Sequence, residues 1–235
     1  MTVRYRTKGF VFKRAERNEA DQTFSIFTKD FGRLELKAKS IRKITSKLRA
    51  GIDIFYFSEI EFIQGKNDKT LTDALKIKKF NAGIKTLSQI SDVLDNFIKG
   101  QEKDEKTFDL LNETFDKIDN KLAFQYFFWN FASLQGYRIE VENCADCKSK
   151  LNPYNIYFSA KDGGVVCKNC ASPALTRNLA QIFPQKINSD IVKVLRLILK
   201  KNWQTVSKLK IEPKSQNLLE EILQNAAHSF CPAHC

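Results

Sequence analysis

The amino-acid sequence predicts an α+β protein, with a small N-terminal β-barrel ahead of a helical bundle that carries a four-cysteine hairpin. Three observations carry this. Apolar residues recur with a period of two through most of the first 80 positions, the period of a half-buried strand. From about position 81 the period becomes roughly 3.6, that of an amphipathic helix. Two Cys-x-x-Cys pairs then interrupt the helical stretch. The expected domains are therefore 1–80 and 81–235, with the hairpin at 144–170.

The strands can be placed in order. Residues 9–14 set Phe10 and Phe12 on one side and Val11 and Lys13 on the other. A polar loop, Asn18-Glu19-Ala20-Asp21, leads to a strand at 23–28 with Phe24 and Ile26 facing one way. Gly32 supplies a residue tolerant of φ > 0 for the next turn. At 33–39, Leu34, Leu36 and Ala38 alternate with Arg33, Glu35, Lys37 and Lys39. A long strand at 52–64, apolar on both faces at Ile54-Phe55-Tyr56-Phe57, and another at 70–77 complete the set. Five short strands without an intervening helix suggest an OB-fold, a barrel that commonly binds nucleic acid. Strand number alone leaves an SH3-like barrel open.

Helical spacing begins with Ile84, Leu87, Ile90, Leu94 and Phe97 and resumes with Phe108, Leu111, Phe115, Ile118 and Leu122. The stretch 124–131 is apolar nearly all round, as a helix at the centre of a bundle must be. Its aromatics crowd every face, so they read as core and not as a platform for stacked bases. Gly136 is placed to end that helix. Pro173 opens a short helix towards Phe183, and Pro184 stops it. Two more helices follow, marked by Ile191, Val194, Leu195 and Ile198 and by Leu219, Ile222, Leu223 and Ala226.

Cys144, Cys147, Cys167 and Cys170 form two pairs separated by nineteen residues. This is the spacing of a four-thiolate zinc site. Residues 154–158 and Val165-Val166 read as short strands, and Asp162-Gly163-Gly164 as the turn that brings the pairs together. Four thiolates fill a tetrahedral ion and leave no position for water, so one structural Zn2+ is expected. Two disulfides or four free thiols are the alternatives. His228, Cys231, His234 and Cys235 could form a second site, but frayed, solvated residues are the better reading of a chain end.

The formal net charge is +12 and unevenly spread. Residues 1–50 hold 14 Lys and Arg against 5 Asp and Glu, a net of +9; residues 81–140 hold 7 against 10, a net of −3. A concentrated positive field attracts polyanions. The densest part contains Lys37, Lys39, Arg42, Lys43, Lys47 and Arg49, with Ser40, Thr45 and Ser46 interleaved. Arg33 shares the outward face of the strand, and Arg14 and Arg17 could extend the patch. Such residues neutralise phosphates without reading bases.

Several function classes are disfavoured. The start is charged and lacks the apolar run of a signal peptide. The stretch 122–134 is too short to span a bilayer and contains Gln125 and Asn130. A soluble, cytoplasmic protein without membrane contact is expected, with reduced thiols. A zinc deaminase would show H-x-E and then P-C-x-x-C, and neither is present. There is no P-loop and no carboxylate cluster arranged for magnesium, so the chain is expected not to be an enzyme.

The order of basic β module, helical bundle and inserted cysteine hairpin resembles the RecO family of DNA repair and recombination proteins. The resemblance rests on Gly9-Phe10-Val11-Phe12, Glu19-Ala20-Asp21, the run from Phe27 to Leu34, and the basic stretch through Ser46-Lys47. In the body it rests on Leu134-Gln135-Gly136-Tyr137 and on Gly163-Gly164-Val165-Val166-Cys167. Members often have Gly where Ser40 and Lys148 stand, and Pro where Asp53-Ile54 stands. The resemblance implies a bacterial, nucleoid-associated mediator without enzymatic activity. Such a protein binds single- and double-stranded DNA, anneals complementary strands, and works with RecR and the acidic tail of single-stranded-DNA-binding protein to help RecA load. A zinc-containing, RNA-binding OB-fold protein is the alternative.

Overall fold

The computed structural model describes residues 3–80, 83–176 and 184–230. The fold divides into two compact units, Met1–Asp119 and Asn120–Cys235.

In the first unit, β1 (Arg4–Arg17), β2 (Asp21–Thr28), β3 (Gly32–Ala38), β4 (Tyr56–Gln64) and β5 (Lys69–Lys79) close into a barrel in the order β1-β2-β3-β5-β4. All pairings are antiparallel except the short parallel contact of β3 with β5 at Leu36 and Lys37. Strand alternation sends Val11, Phe24, Ile26, Leu34, Leu36, Ala38, Ile60, Phe62 and Leu71 into one buried cluster, joined by Ile41 and Ile52. Residues 52–55, expected to begin the fourth strand, lie outside it, and the Tyr56 N–H donates to the Asp53 carbonyl to close a turn there. Phe55 has φ 62° there, and its N–H donates to the Val11 carbonyl.

The barrel also buries aromatic residues on its outer side, and this explains why two helices belong with it. The helix α1 (Ile84–Phe97) and the helix α2 (Glu105–Phe115) follow the expected boundary at 80 yet lie within the first unit. On α2, Phe115 lies 4.7 Å from Phe10 and 4.6 Å from Phe80, ring centre to ring centre, and Phe108 lies 6.1 Å from Phe57. Asp104 caps α2 by accepting the Thr107 N–H. The helix ends at Phe115, so Ile118 and Leu122 of the sequence stripe fall outside it.

In the second unit, α3 (Ala123–Leu134) is buried at Ala123 and on every face from 125 to 132. Tyr126, Phe127, Phe128, Trp129 and Phe131 have no exposed surface, so these rings are core, as their crowding requires. Asn130, buried among them, donates to the carbonyls of Tyr126 and Ile198. Gly136, at φ 93°, donates to Ser133, and the Tyr137 N–H donates to Ala132. This pair of bonds is a Schellman C-cap, which a residue with a Cβ would strain. A three-stranded sheet follows, with β6 (Ile156–Ser159) between β7 (Gly164–Cys167) and β8 (Gln185–Ile187). The helices α4 (Lys168–Thr176), α5 (Ser189–Leu199), α6 (Trp203–Val206) and α7 (Pro213–Phe230) complete the unit. The helix expected from Pro173 thus begins five residues earlier, directly after β7. Its expected reach to Phe183 lies outside the described residues, as do Cys231, His234 and Cys235. Among the described residues, no helix is long and apolar enough to cross a membrane.

Candidate metal centre and basic face

The two cysteine pairs reach one point by different local structures. The first lies in a tight turn. The Cys144 N–H donates to the Ser149 carbonyl at 2.9 Å, and the Lys148 N–H donates back to the Cys144 carbonyl at 3.0 Å. The second joins the end of β7 to the first turn of α4, so Cys167 and Cys170 stand at positions i and i+3, on the same side of a helical turn. A hairpin forms where expected, but β6 starts at Ile156 and not at Tyr154, and Gly164, expected in the turn, opens β7; Gly163 holds φ 71° in the turn.

A further contact aligns the first pair with the second. The chain at Glu140 runs beside β7, with Val165 donating to the Glu140 carbonyl and Ala145 to the Val165 carbonyl, both at 2.8 Å. A Cβ on Gly164 would stand 2.2 Å from the Glu140 carbonyl oxygen. Gly164 is therefore required by this close approach as well as by its place near the turn. The Glu140 carboxylate accepts the N–H groups of Glu142 and Asn143, and these bonds hold it below the usual carboxylate range. From α5, Arg196 donates to the Val141 carbonyl at 2.7 Å and pairs with Glu142. The sequence offered no sign of this brace beyond one arginine on an amphipathic helix.

The four sulfurs all lie within 4.8 Å of one another, and all four cysteines are free. A tetrahedral ion with metal–sulfur bonds of about 2.3 Å would set its ligands roughly 3.8 Å apart. Cys147 and Cys167 are 3.9 Å apart, so the donor set could hold a metal. Cys144 is buried and accepts the Cys167 N–H on its sulfur at 3.3 Å, whereas Cys147 is exposed. Hydrogen bonds from the Ser149 hydroxyl and backbone lower the Cys147 thiol to about 6. Burial, with the Asp146 contact next, pushes the Cys170 thiol up.

In the first unit, the basic stretch is an anchored loop between β3 and β4. Asp21 accepts the Ser40 N–H at 2.7 Å, the Arg42 N–H donates to the Ala20 carbonyl, and Ile41 is buried in the barrel core. Two successive turns and a short 3-10 helix, Lys47–Ala50, carry the chain onward. Lys39, Arg42, Lys43, Lys47 and Arg49 are all exposed on this loop. Arg17 is exposed at the end of β1. Arg14 pairs with Asp53 at 2.5 Å, and Arg42 with Glu16 at 3.2 Å. Arg14, Arg42 and Arg49 are among the residues that line one cavity of about 360 Å3.

Two of the expected residues stand apart. Arg33 keeps 11 % of its side chain exposed and donates to the carbonyls of Asp95 and Ile98 and to the carboxylates of Asp95 and Glu35. Its charge locks β3 to α1 and is not offered to a ligand. Lys37 pairs with Asp68, and its side chain is 19 % exposed. Burial first, and then the charges of Arg17 and Lys39, lower its pKa, so these three cations share one neighbourhood. A second basic strip was missed. On β5, Lys76 and Lys79 lie 5.6 and 5.8 Å from the Tyr56 ring, and Lys78 lies 4.9 Å from that of Phe80. The alternation in Leu75-Lys76-Ile77-Lys78 was its available signal.

Family models match nearly the whole chain. The one described as recombination protein O, N terminal, covers residues 1–80, and that for the C terminal covers 86–227. The chain belongs to the RecO family. A DNA repair protein RecO of Dehalococcoides mccartyi (strain BAV1) is 31 % identical over 227 residues, covering 92 % of this chain and 86 % of that protein. One from Thermodesulfovibrio yellowstonii is 30 % identical, covering 95 % and 92 %. One from Alkaliphilus metalliredigens is 25 % identical, covering 93 % and 90 %.

The positions where this chain departs from the RecO pattern have structural meaning. Ser40 and Lys148, where glycine was expected, have φ 53° and φ 60°. Both occupy the left-handed region that favours glycine. Asp53, at the expected proline position, accepts the Ile54 N–H and pairs with Arg14.

Proposed function

We propose that this chain is a non-enzymatic recombination mediator that binds and anneals single-stranded DNA and assists RecA loading in DNA repair. The observation that carries the reading is the anchored basic loop on the barrel of a RecO-family chain. The strand order β1-β2-β3-β5-β4, with β3 parallel to β5, supports an OB-fold assignment for that barrel, and residues 1–80 are its nucleic-acid-binding domain. Lys39, Lys43, Lys47, Arg49 and Arg17 have no carboxylate partner among the described residues, so their charge is available to phosphates. Arg14, Arg42 and Lys37 flank them and would exchange a carboxylate for a phosphate. Annealing follows from the same chemistry, because two polyanions approach only when their repulsion is screened.

The metal is zinc in this reading, one per chain. The all-thiolate set suits it, and it closes the hairpin without an open position for chemistry. It would hold Cys144, Cys147, Cys167 and Cys170 as thiolates, leaving catalysis to none of them. DNA of both strand types, RecR and the acidic tail of single-stranded-DNA-binding protein are the partners. The compartment is the cytoplasm, at the nucleoid.

A strand-annealing assay with matched DNA and RNA tests the reading, and faster annealing of RNA would favour an RNA-binding protein. Salt dependence tests the face. With about six phosphates neutralised, log K should fall with log salt at roughly −4 on single strands and −5 on duplex. Changing Lys39, Arg42 and Lys43 together to Ala should flatten that slope by about 2–3 units. An unchanged slope in a folded triple variant would move the DNA elsewhere.

A further inference from the structure

We propose that Ile44, at the tip of the basic loop, is a wedge that enters the base stack of a duplex where that stack is already broken, at a mismatch or a nick. The inference rests on the nucleic-acid reading above. It adds what the loop does to a bound duplex and which duplexes it selects.

The loop carries three large apolar side chains, and two of them turn to the barrel. Ile41 is buried in the barrel core, and Leu48 packs against that core. Ile44, midway between them, is 93 % exposed, the most of any large apolar side chain among the described residues. From Arg42 to Lys47 every residue is exposed except the half-buried Ser46, and Ile44 is the one apolar residue of that run.

The tip is held in place. Asp21 accepts the Ser40 N–H, the Ala20 carbonyl accepts the Arg42 N–H, and Arg42 pairs with Glu16. The Lys43 N–H donates to the Ser40 carbonyl at 3.1 Å, and the Ser46 N–H donates to the Lys43 carbonyl at 3.0 Å. Two turns therefore meet at Lys43, and Ile44 is a central residue of the second. Turn chemistry does not call for isoleucine there, since Gly, Pro, Asn, Asp and Ser are the residues that turns favour. Packing within the chain does not call for it either, because almost none of its surface is covered. What isoleucine supplies is a stiff, branched apolar group with little rotamer freedom to lose on insertion.

Its surroundings indicate what it enters. Lys39 and Lys43 precede it and Lys47 and Arg49 follow it, all exposed. Proteins that kink a duplex set an apolar side chain between two base steps, while cations hold the flanking phosphates. A protein partner would be met by a contiguous apolar patch, and this run of the loop offers only one apolar side chain.

The magnitudes select the duplex. Burying an isoleucine side chain is worth roughly ten- to a hundredfold in an equilibrium constant. Parting an intact base step costs as much or more. On a fully paired duplex the two cancel. At a mismatch or a nick the stack is weakened beforehand, and the burial appears as affinity.

The test uses the full chain and one duplex sequence in three forms: fully paired, with one mismatch, and with one nick. Each carries 2-aminopurine, whose fluorescence rises on unstacking, beside the position of the defect. The unchanged chain should bind the mismatched and nicked forms about tenfold more tightly than the paired one. Fluorescence should rise with binding to those two forms. Ile44→Ser should remove both the preference and the rise, and Ile44→Leu should keep both. The salt slope of Ile44→Ser should match that of the unchanged chain, because no charge is lost. Lys39→Ala with Lys43→Ala should weaken binding to all three forms alike. Equal binding of the three duplexes by the unchanged chain overturns the wedge and leaves the mediator reading standing. So does a preference that survives in Ile44→Ser, the result expected if Ile44 served a protein contact. No binding to any duplex or single strand overturns both.

Discussion

Among the described residues, one barrel cluster gathers eleven buried residues, whereas the cluster around the hairpin's sulfurs has four: Cys144, Ala145, Val166 and Ala171. A buried aliphatic or aromatic side chain contributes about 1.5–3 kcal/mol. The barrel can therefore hold itself closed by burial; in the hairpin, Ile156, Phe158 and Val165 are buried on β6 and β7, but few apolar side chains surround the sulfurs. Two of those four are small alanines and one is a cysteine of the sulfur cluster. What holds the sulfur cluster instead is the convergence of four cysteines and the main-chain bonds of Glu140, Ala145 and Val165. The first region should respond to changes of volume and the second to loss of an ion.

The largest expected effect is therefore metal removal. Structural zinc in finger peptides is worth about 10–16 kcal/mol near neutral pH. Chelation, or Cys144→Ser, should abolish ordered structure between Cys144 and Cys170 while leaving the barrel folded. Trp129 reports on this, because its ring stands 5.6 Å from Phe158 of β6. Amide exchange should accelerate in β6 and β7 and stay slow in β1 to β4. Metal analysis finding no zinc in a protein whose hairpin amides remain protected would break the comparison from this side.

Phe62→Ala attacks it from the other. Phe62 is buried in the barrel cluster and packs 5.4 Å from both Tyr5 and Phe31. Its truncation should cost about 3–5 kcal/mol. A denaturant titration should show the first unit melting earlier, with zinc content unchanged. Equal sensitivity of the two units would mean that they do not unfold separately.

The same contrast explains how much of the molecule was legible beforehand. Alternation placed all five strands, because one-sided burial forces a period of two, and it correctly sent Phe24, Ile26, Leu34, Leu36 and Ala38 inward. It could not show that Phe10, Phe27 and Phe57 are covered by later helices, so the division into compact units at Asp119 was invisible. Cysteine spacing located the four-sulfur cluster, since residues that converge on one point from two short turns leave a local pattern. The Arg196 brace and the close approach at Gly164 leave none. The basic cluster was legible as a charge run, but the fate of each charge was not. Arg33 and Lys39 look alike on an alternating strand, and only the position of Asp95 on α1 makes the first a structural tie.

That tie gives a smaller, pH-dependent test. Burial would raise the Asp95 pKa, but hydrogen bonds from Lys13 and Arg33 more than offset it and hold it below the usual range. A carboxylate depressed by folding stabilises above its unfolded pKa of about 3.9 and loses that contribution as pH falls through the lower folded value. Asp95→Asn should thus cost about 1 kcal/mol at pH 7, with partial exposure keeping the figure low. The difference from the unchanged protein should narrow below about pH 4. A gap that persists at lower pH would assign the effect to shape and not to charge.

The smallest effect compares the two regions through one shared defect. Ser40 enters the basic loop and Lys148 closes the first cysteine turn, and both hold positive φ with a Cβ present. For an L-residue this conformation costs roughly 1–2 kcal/mol, while glycine gives back about 0.5–1 kcal/mol in chain entropy. Ser40→Gly and Lys148→Gly should each stabilise by about 0.5–1 kcal/mol. The gain at 148 should be the lower, because Lys148 also donates its ammonium to the Ala145 carbonyl, a bond glycine lacks. The two should then part in what else they change. Lys148→Gly tightens the turn that presents Cys144 and Cys147, so the protein should give up its metal to a chelator more slowly. Ser40→Gly should leave metal loss unchanged and raise the melting point of the barrel, where Asp21 already holds the Ser40 N–H. If both variants slowed metal loss equally, the barrel and the hairpin would share a stability that their separate cores do not explain.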